Sequence, residues 1–207
     1  MLSDYDYLEQ MKPLAQTVGN QSDETEQQVE VPELDPEHYK AYAKAPTDLD
    51  EETINHLVDL IDGKESITPK PEYITNESAP ATIDRVLNSE TIIYITEDDL
   101  PVGVVTIIDP SSKNYQGYVP LDLFAMYSAT NLDGRLQQEF FAVADYAHGK
   151  GIGRELRAQI AALGIKTFTI IDANDTEALK GMVSNGYKYV CTMPLDASPS
   201  PVTIWVD

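Results

Sequence analysis

Between Phe141 and Gly153 the chain reads Phe-Ala-Val-Ala-Asp-Tyr-Ala-His-Gly-Lys-Gly-Ile-Gly, and its chemistry concentrates on three alternate glycines, Gly149, Gly151 and Gly153. Apolar residues at Phe140, Phe141 and Val143 predict a strand before them. Ile152, Leu156, Ile160 and Leu163 recur at helical spacing and predict a helix that opens at the glycines. Main-chain N–H groups at such a helix start lack intrahelical acceptors and lie at the positive end of the helix dipole, so an anion can dock there. Glycines without a Cβ let a phosphate approach the main chain. Lys150 and Arg154 add positive charge within a chain of 207 residues and formal net charge −21. The stretch is expected to bind phosphate.

A Walker loop, Gly-x-x-x-x-Gly-Lys-Ser/Thr, does not occur in the chain. The dinucleotide fingerprint Gly-x-Gly-x-x-Gly matches in part. A strand is expected at 167–171, with Asp172 after it in the place of a ribose-binding acid. Counted from Gly149, however, the third glycine of that fingerprint falls on Arg154, and residues 145–148 separate the loop from its strand.

His148-Gly149-Lys150-Gly151-Ile152-Gly153 resembles the pyrophosphate loop of the GNAT superfamily of N-acetyltransferases, Arg/Gln-x-x-Gly-x-Gly/Ala after a strand with a local bulge. A second block in the expected order, Asn174 to Tyr187, resembles that family's Asn-x-x-Ala-x-x-x-Tyr-x-x-x-Gly-Phe ending, with Gly186-Tyr187 in place of Gly-Phe. The resemblance implies an α/β (α+β) fold with a central mixed, mainly antiparallel sheet flanked by helices. It also implies acetyl-coenzyme A as cosubstrate, held by Val143, His148, Gly149, Lys150, Gly151, Ile152, Gly153, Arg154 and Asn174, and transfer of acetyl to an amine.

The chain departs from the pattern at three places. His148 stands where a basic or amide residue is expected, and an imidazole brings no fixed charge at neutral pH. Met182 falls where many members keep the tyrosine that protonates the leaving thiolate, and a thioether has no proton to give. Asn174 is one residue out of step, with Asp175 in the matching slot.

The remaining sequence supplies the scaffold. Residues 1–49 read as an acidic, low-hydrophobicity arm, and 50–207 as the GNAT-like domain. Residues 1–52 hold fourteen acids against three lysines, and 16–37 are nearly free of large apolar side chains, the composition of a segment that does not pack on itself. Ile54, Leu57, Val58 and Ile61 predict an amphipathic helix over 50–62, closed by Gly63. A second helix is expected over 79–89. Strands are expected at 91–95 and 102–108, joined by a turn at 96–101, and later at 187–192 and 202–206 with Pro194, Pro199 and Pro201 in the connection. Tyr115, Tyr118, Leu121, Leu123, Phe124 and Tyr127 form an aromatic insertion, read as an acceptor-specificity region or as a lid that completes the core.

Amine acetylation needs an oriented thioester, a polarised carbonyl and a base for the ammonium proton. Glu139, near where some family members place a glutamate, is a candidate base, or else a solvated strand position. Tyr187 is a candidate for the missing acid, with Tyr127 as the other choice. The three histidines lie far apart and Cys191 is alone in an apolar strand, so the sequence carries no metal-ligand spacing and Cys191 reads as an inert thiol. The chain has no membrane-length apolar run and no signal-peptide pattern, which gives a cytoplasmic expectation.

A strongly acidic chain disfavours direct nucleic-acid binding and favours cationic partners, either an amine-bearing small molecule or a basic protein. Two functional readings stand: an acyl-CoA-dependent N-acyltransferase with a cationic acceptor, or a catalytically degenerate binding or structural protein that docks on an assembly through its acidic arm.

Overall fold

A computed structural model describes residues 34–63, 79–113, 132, 134–193 and 201–207. The aromatic insertion, Pro194, Pro199 and all but residues 34–37 of the acidic stretch 16–37 lie outside them. The chain divides into two compact units, one within residues 31–118 and 134–167, the other including 119–133 and 168–207.

The larger unit begins with β1 (Tyr39–Lys44), followed by α1 (Glu51–Asp62), α2 (Ala79–Leu87), β2 (Thr91–Glu97), β3 (Leu100–Ile108), β4 (Leu136–Val143) and α3 (Ile152–Ala162). Its strands pair antiparallel in the order β1-β2-β3-β4. Helices α1 and α3 pack on this sheet: α1 against β3 and β4, and α3 against β1, β2 and β3. Leu57, Val58, Ile92, Ile93, Ile95, Val105, Ile107, Ile152, Leu156 and Ile160 form the core, each at most 2 % exposed. Burying such side chains contributes about 1.5–3 kcal/mol each.

Local chemistry sets the ends of these elements. Asp50 accepts from Thr53 N at 2.7 Å and caps α1, and Gly63 ends it in the left-handed conformation at φ 65°. The expected turn at 96–101 is tighter than predicted, because Asp98 and Asp99 both take positive φ, 51° and 69°, as a two-residue type I′ hairpin requires. The strands therefore run on to Glu97 and from Leu100.

Residues 39–44, which their acidic surroundings assign to the arm, form β1 and pair with β2 along their whole length, Tyr39 opposite Glu97 and Lys44 opposite Ile92. The acidic composition around this strand hides its tyrosines and alanines. Tyr42 stacks on Tyr94 with ring centroids 4.8 Å apart.

The smaller unit holds β5 (Thr167–Asp172) from its second residue on, α4 (Thr176–Ser184), β6 (Lys188–Met193) and β7 (Val202–Val206), with β7 antiparallel to both β5 and β6. Phe168, Met193 and Ile204 are buried in one cluster, and Leu179, Met182 and Trp205 in another.

Candidate functional site

The glycine loop is built as its sequence predicts. Strand β4 ends at Val143, a single 3-10 turn spans Asp145–Ala147, and α3 begins at Ile152. Gly149 and Gly151 have φ of 77° and 93°, conformations that side chains strongly disfavour. Gly151 is the N-cap of α3, and no side chain caps the helix. The helix start therefore presents the positive end of its dipole without a side-chain acceptor of its own.

Gly103 of β3 makes room for this helix start. A Cβ there would lie 2.4 Å from Ile152 Cγ2 and 3.3 Å from Leu156 Cδ1, so only a glycine lets α3 seat at this depth. Sequence reading missed it, because an isolated glycine within an apolar run carries no partner's name.

Gly153 is different. Its φ is not positive, and an added Cβ would meet Arg157 Nη1 at 3.5 Å and Phe141 Cε1 at 3.7 Å, both ordinary contacts. The fold tolerates a larger residue there, and glycine in a helix costs about 1 kcal/mol relative to alanine.

Strand β4 carries a bulge immediately before the loop. Glu139 pairs with Thr106 and Ala142 with Val104, so Phe140 and Phe141 together oppose Val105, and Phe140 has φ 51°. The apolar run predicted for this strand is therefore not buried as a simple face. Gln137, Gln138 and Glu139 are buried in succession while Phe141 is exposed.

The candidate base Glu139 is not solvated, being 7 % exposed. Arg85 of α2, itself 4 % exposed, donates to Glu139 Oε1, as does Gln137 Nε2 at 3.1 Å. The Arg85 guanidinium lies 4.9 Å over the Phe140 ring, and Thr106 Oγ1 donates to the Glu139 carbonyl at 3.1 Å. This group of contacts holds the bulge.

Around the loop, His148 and Lys150 both make contacts within the chain. His148 Nε2 lies 3.1 Å from the Val143 carbonyl, and since a carbonyl only accepts, that nitrogen carries the hydrogen. The neutral ring then offers an acceptor on its other nitrogen and must be protonated before it can donate to a phosphate as well. Lys150 Nζ is 2.9 Å from Glu97 Oε1. It also lies 5.6 Å over the exposed Tyr146 ring, and Arg157 lies 4.5 Å over the half-exposed Phe141 ring. Tyr39 donates its hydroxyl to the same Glu97 carboxylate. That hydroxyl, first, and Lys150, second, draw Glu97 below the ordinary carboxyl range, and Glu97 in turn raises Lys150.

Asn174 and Tyr187 belong to the smaller unit. Asn174 is exposed, in a turn where its N–H donates to Asp172 Oδ1 at 2.8 Å. Asp175 caps α4 by accepting from Ala178 N at 3.0 Å. Met182, where the family resemblance implies a tyrosine, is 4 % exposed in a core cluster with Leu179 and Trp205. Tyr187 is half-buried against the same cluster. Burial pushes the Cys191 thiol up to about 11, which keeps it protonated at neutral pH.

Among the described residues, no group of three or more His, Cys, Asp or Glu could hold a metal ion, and no helix is long and apolar enough to cross a membrane.

Solved structures share this fold. A protein from Desulfovibrio desulfuricans assigned to the GNAT family of acetyltransferases superposes with a TM-score of 0.58 at 12% identity, covering 82% of this chain and 98% of the other. The fold is that of the GNAT acetyltransferases.

Two further matches were solved with ligands. Salmonella typhimurium yncA, solved with its cofactor acetyl-CoA, matches with a TM-score of 0.52 and 12% identity over 81% of this chain and 92% of its own. An Arabidopsis thaliana protein, solved with the bisubstrate analogue CoA-Ac-MVNAL, matches with a TM-score of 0.51 and 12% identity over 81% and 97%. No protein-family model matches the chain, and no curated protein matches it in sequence.

Proposed function

We propose that this protein is an acyl-CoA-dependent N-acyltransferase that moves acetyl from acetyl-CoA to a cationic amine. The observation that carries the reading is Gly153. The protein leaves ordinary space beside it and the helix is weakened by it, so its absent side chain serves the approach of something outside the chain. Gly149 and Gly151 shape the turn, and α3, which no side chain caps, offers the positive end of its dipole to an anion. Lys150, Arg154 and Arg157 gather positive charge there in a chain of net charge −21. A pyrophosphate fits this donor set.

In this reading Val143, His148 and residues 149–154 hold the cosubstrate, and Asn174 is a further candidate carried from the family resemblance. Acetyl-CoA, when bound, supplies the activated acyl group. The Glu139 carboxylate is the candidate acceptor of the amine proton, and Tyr187 the candidate donor to the departing thiolate. Arg85 stabilises the anionic form of Glu139 and so weakens it as a base. The negative charge of the chain draws a cationic amine, such as a lysine side chain, a protein N-terminus or a polyamine. The cytoplasm suits such a cosubstrate and acceptor.

A second reading has the GNAT fold as a binding or structural module, docked on an assembly through the acidic arm. It is favoured by the commitment of the His148 ring and Lys150 within the chain and by the buried Met182. Calorimetric titration of the full chain with acetyl-CoA separates the two. Micromolar binding lost in a Gly151→Glu, Gly153→Glu double variant supports the transferase. Absence of binding by the native chain sinks it and leaves the second reading.

A further inference from the structure

On the sheet face opposite Lys150 lies a cleft of about 290 Å³, contained within the larger unit. Its walls are the stacked rings of Tyr42 and Tyr94, the side chain of Thr96 and the start of α1. Successive residues of a strand face opposite sides of a sheet, so Thr96 sits with Tyr94 while its neighbour Glu97 turns to Lys150. The cleft is therefore distinct from the glycine loop.

Thr96 is 4 % exposed, and its Oγ1 has no hydrogen-bond partner among the described residues. A buried hydroxyl left unsatisfied is a standing cost to the fold, and a valine of the same shape avoids it. The carboxylates that line the same cleft decide what kind of group suits it. Asp50 and Glu52 line the cleft from the start of α1, and Asp99 lines it from the hairpin turn. Asp99 shares its charge with Lys40, at 2.8 Å, and Asp50 is held ionised by the Thr53 N–H. Asp50, Glu52 and Asp99 outnumber Lys40 and Lys44, the latter close enough to act on Asp50, and a small negative excess remains against the roughly half positive charge of the helix dipole, so the cleft as a whole draws cations. Its aromatic wall draws them too, since Lys44 already lies 5.5 Å over the Tyr42 ring. Leu100 and Pro101 complete the lining with apolar surface for an alkyl chain.

We infer that this cleft binds a lysine-type primary ammonium of a basic partner, the ammonium donating to Thr96 Oγ1 beside Asp50 and Glu52, with its alkyl chain along Leu100 and Pro101. A compact charge with three donors suits one buried acceptor flanked by separate carboxylates, whereas a planar guanidinium asks for two parallel acceptors on one group. Binding here is independent of acyl transfer.

The test titrates the full chain with Nα-acetyl-lysine methylamide, followed by NMR of the tyrosine ring resonances, with the norleucine and arginine counterparts as controls. Saturable binding of the lysine compound alone is expected, with Tyr42 and Tyr94 responding. Thr96→Val should weaken it about tenfold, as loss of a hydrogen bond to a charged group implies, and should raise the melting temperature of the free protein. Thr96→Ser, which keeps the hydroxyl, should retain binding and covers the case in which the valine variant does not fold. Equal binding of lysine and norleucine compounds, equal binding of the arginine compound, or undiminished binding by folded Thr96→Val would each overturn the assignment.

Discussion

Lys150 Nζ donates to both carboxylate oxygens of Glu97, at 2.9 Å and 3.2 Å. The cation that the loop would offer a phosphate thus already faces an anion of its own chain, and the two compete. In Glu97→Gln the competitor loses its charge, and acetyl-CoA affinity should rise about two- to fivefold, the size of a partly exposed ion pair. Calorimetry on the variant decides it: unchanged or weaker binding would mean that Lys150 takes no part at the phosphate.

The same pair has a pH signature. Glu97 titrates below its ordinary value in the folded protein, so its contribution to stability is complete above the unfolded glutamate range and is lost as pH falls through the lower folded value. Denaturant unfolding of native protein and Glu97→Gln should differ at pH 7 and converge in acid. A gap independent of pH would contradict the assigned ionisation.

Gly103→Ala and Gly153→Ala should move stability in opposite directions. Forcing a Cβ against Ile152 at 2.4 Å is overpacking, with an expected loss of about 1–3 kcal/mol, partly recovered when Ile152→Ala is added. Gly153→Ala meets no such obstacle and should stabilise α3 by up to about 1 kcal/mol, yet weaken acetyl-CoA binding. Chemical denaturation alongside ligand titration separates these effects. A stabilised Gly153→Ala that binds as well as the native chain removes the reason given for this glycine.

Arg85 and Glu139 are both nearly inaccessible, so removing one leaves the other's charge buried without this counter-ion. Arg85→Met should cost about 3–5 kcal/mol, and pairing it with Glu139→Gln should recover part of that loss. If Glu139 is the proton acceptor, Glu139→Gln lowers kcat while leaving acetyl-CoA affinity in place. If it only secures the bulge, binding and turnover fall together.

Segments with strong periodicity are legible in the amino-acid sequence alone. Ile152, Leu156 and Ile160 mark α3, Ile54, Leu57 and Val58 mark α1, and Val202–Val206 forms the predicted strand with all five residues buried. What periodicity does not reveal depends on partners far away in the chain. Glu139 is buried because Arg85, 54 residues earlier, neutralises it, and no pattern local to β4 reveals that. Phe141 turns outward because Phe140 adopts a left-handed conformation, which reverses the alternation that strand reading relies on. The charge of Lys150 is plain in the sequence, whereas its engagement by Glu97 and Tyr39 comes from the antiparallel register that places residues 39 and 97 side by side.

The pairing of β1 with β2 also fixes where the chain can be shortened. A protein begun at residue 50 would lose residues 39–44 and leave β2, with Ile92, Ile93 and Ile95, as a long apolar edge whose open backbone groups invite strands from other molecules. A protein begun just before residue 34 keeps that edge covered, and any shortened form made to isolate the role of the acidic segment should start there, so that lost partner binding is not confused with self-association.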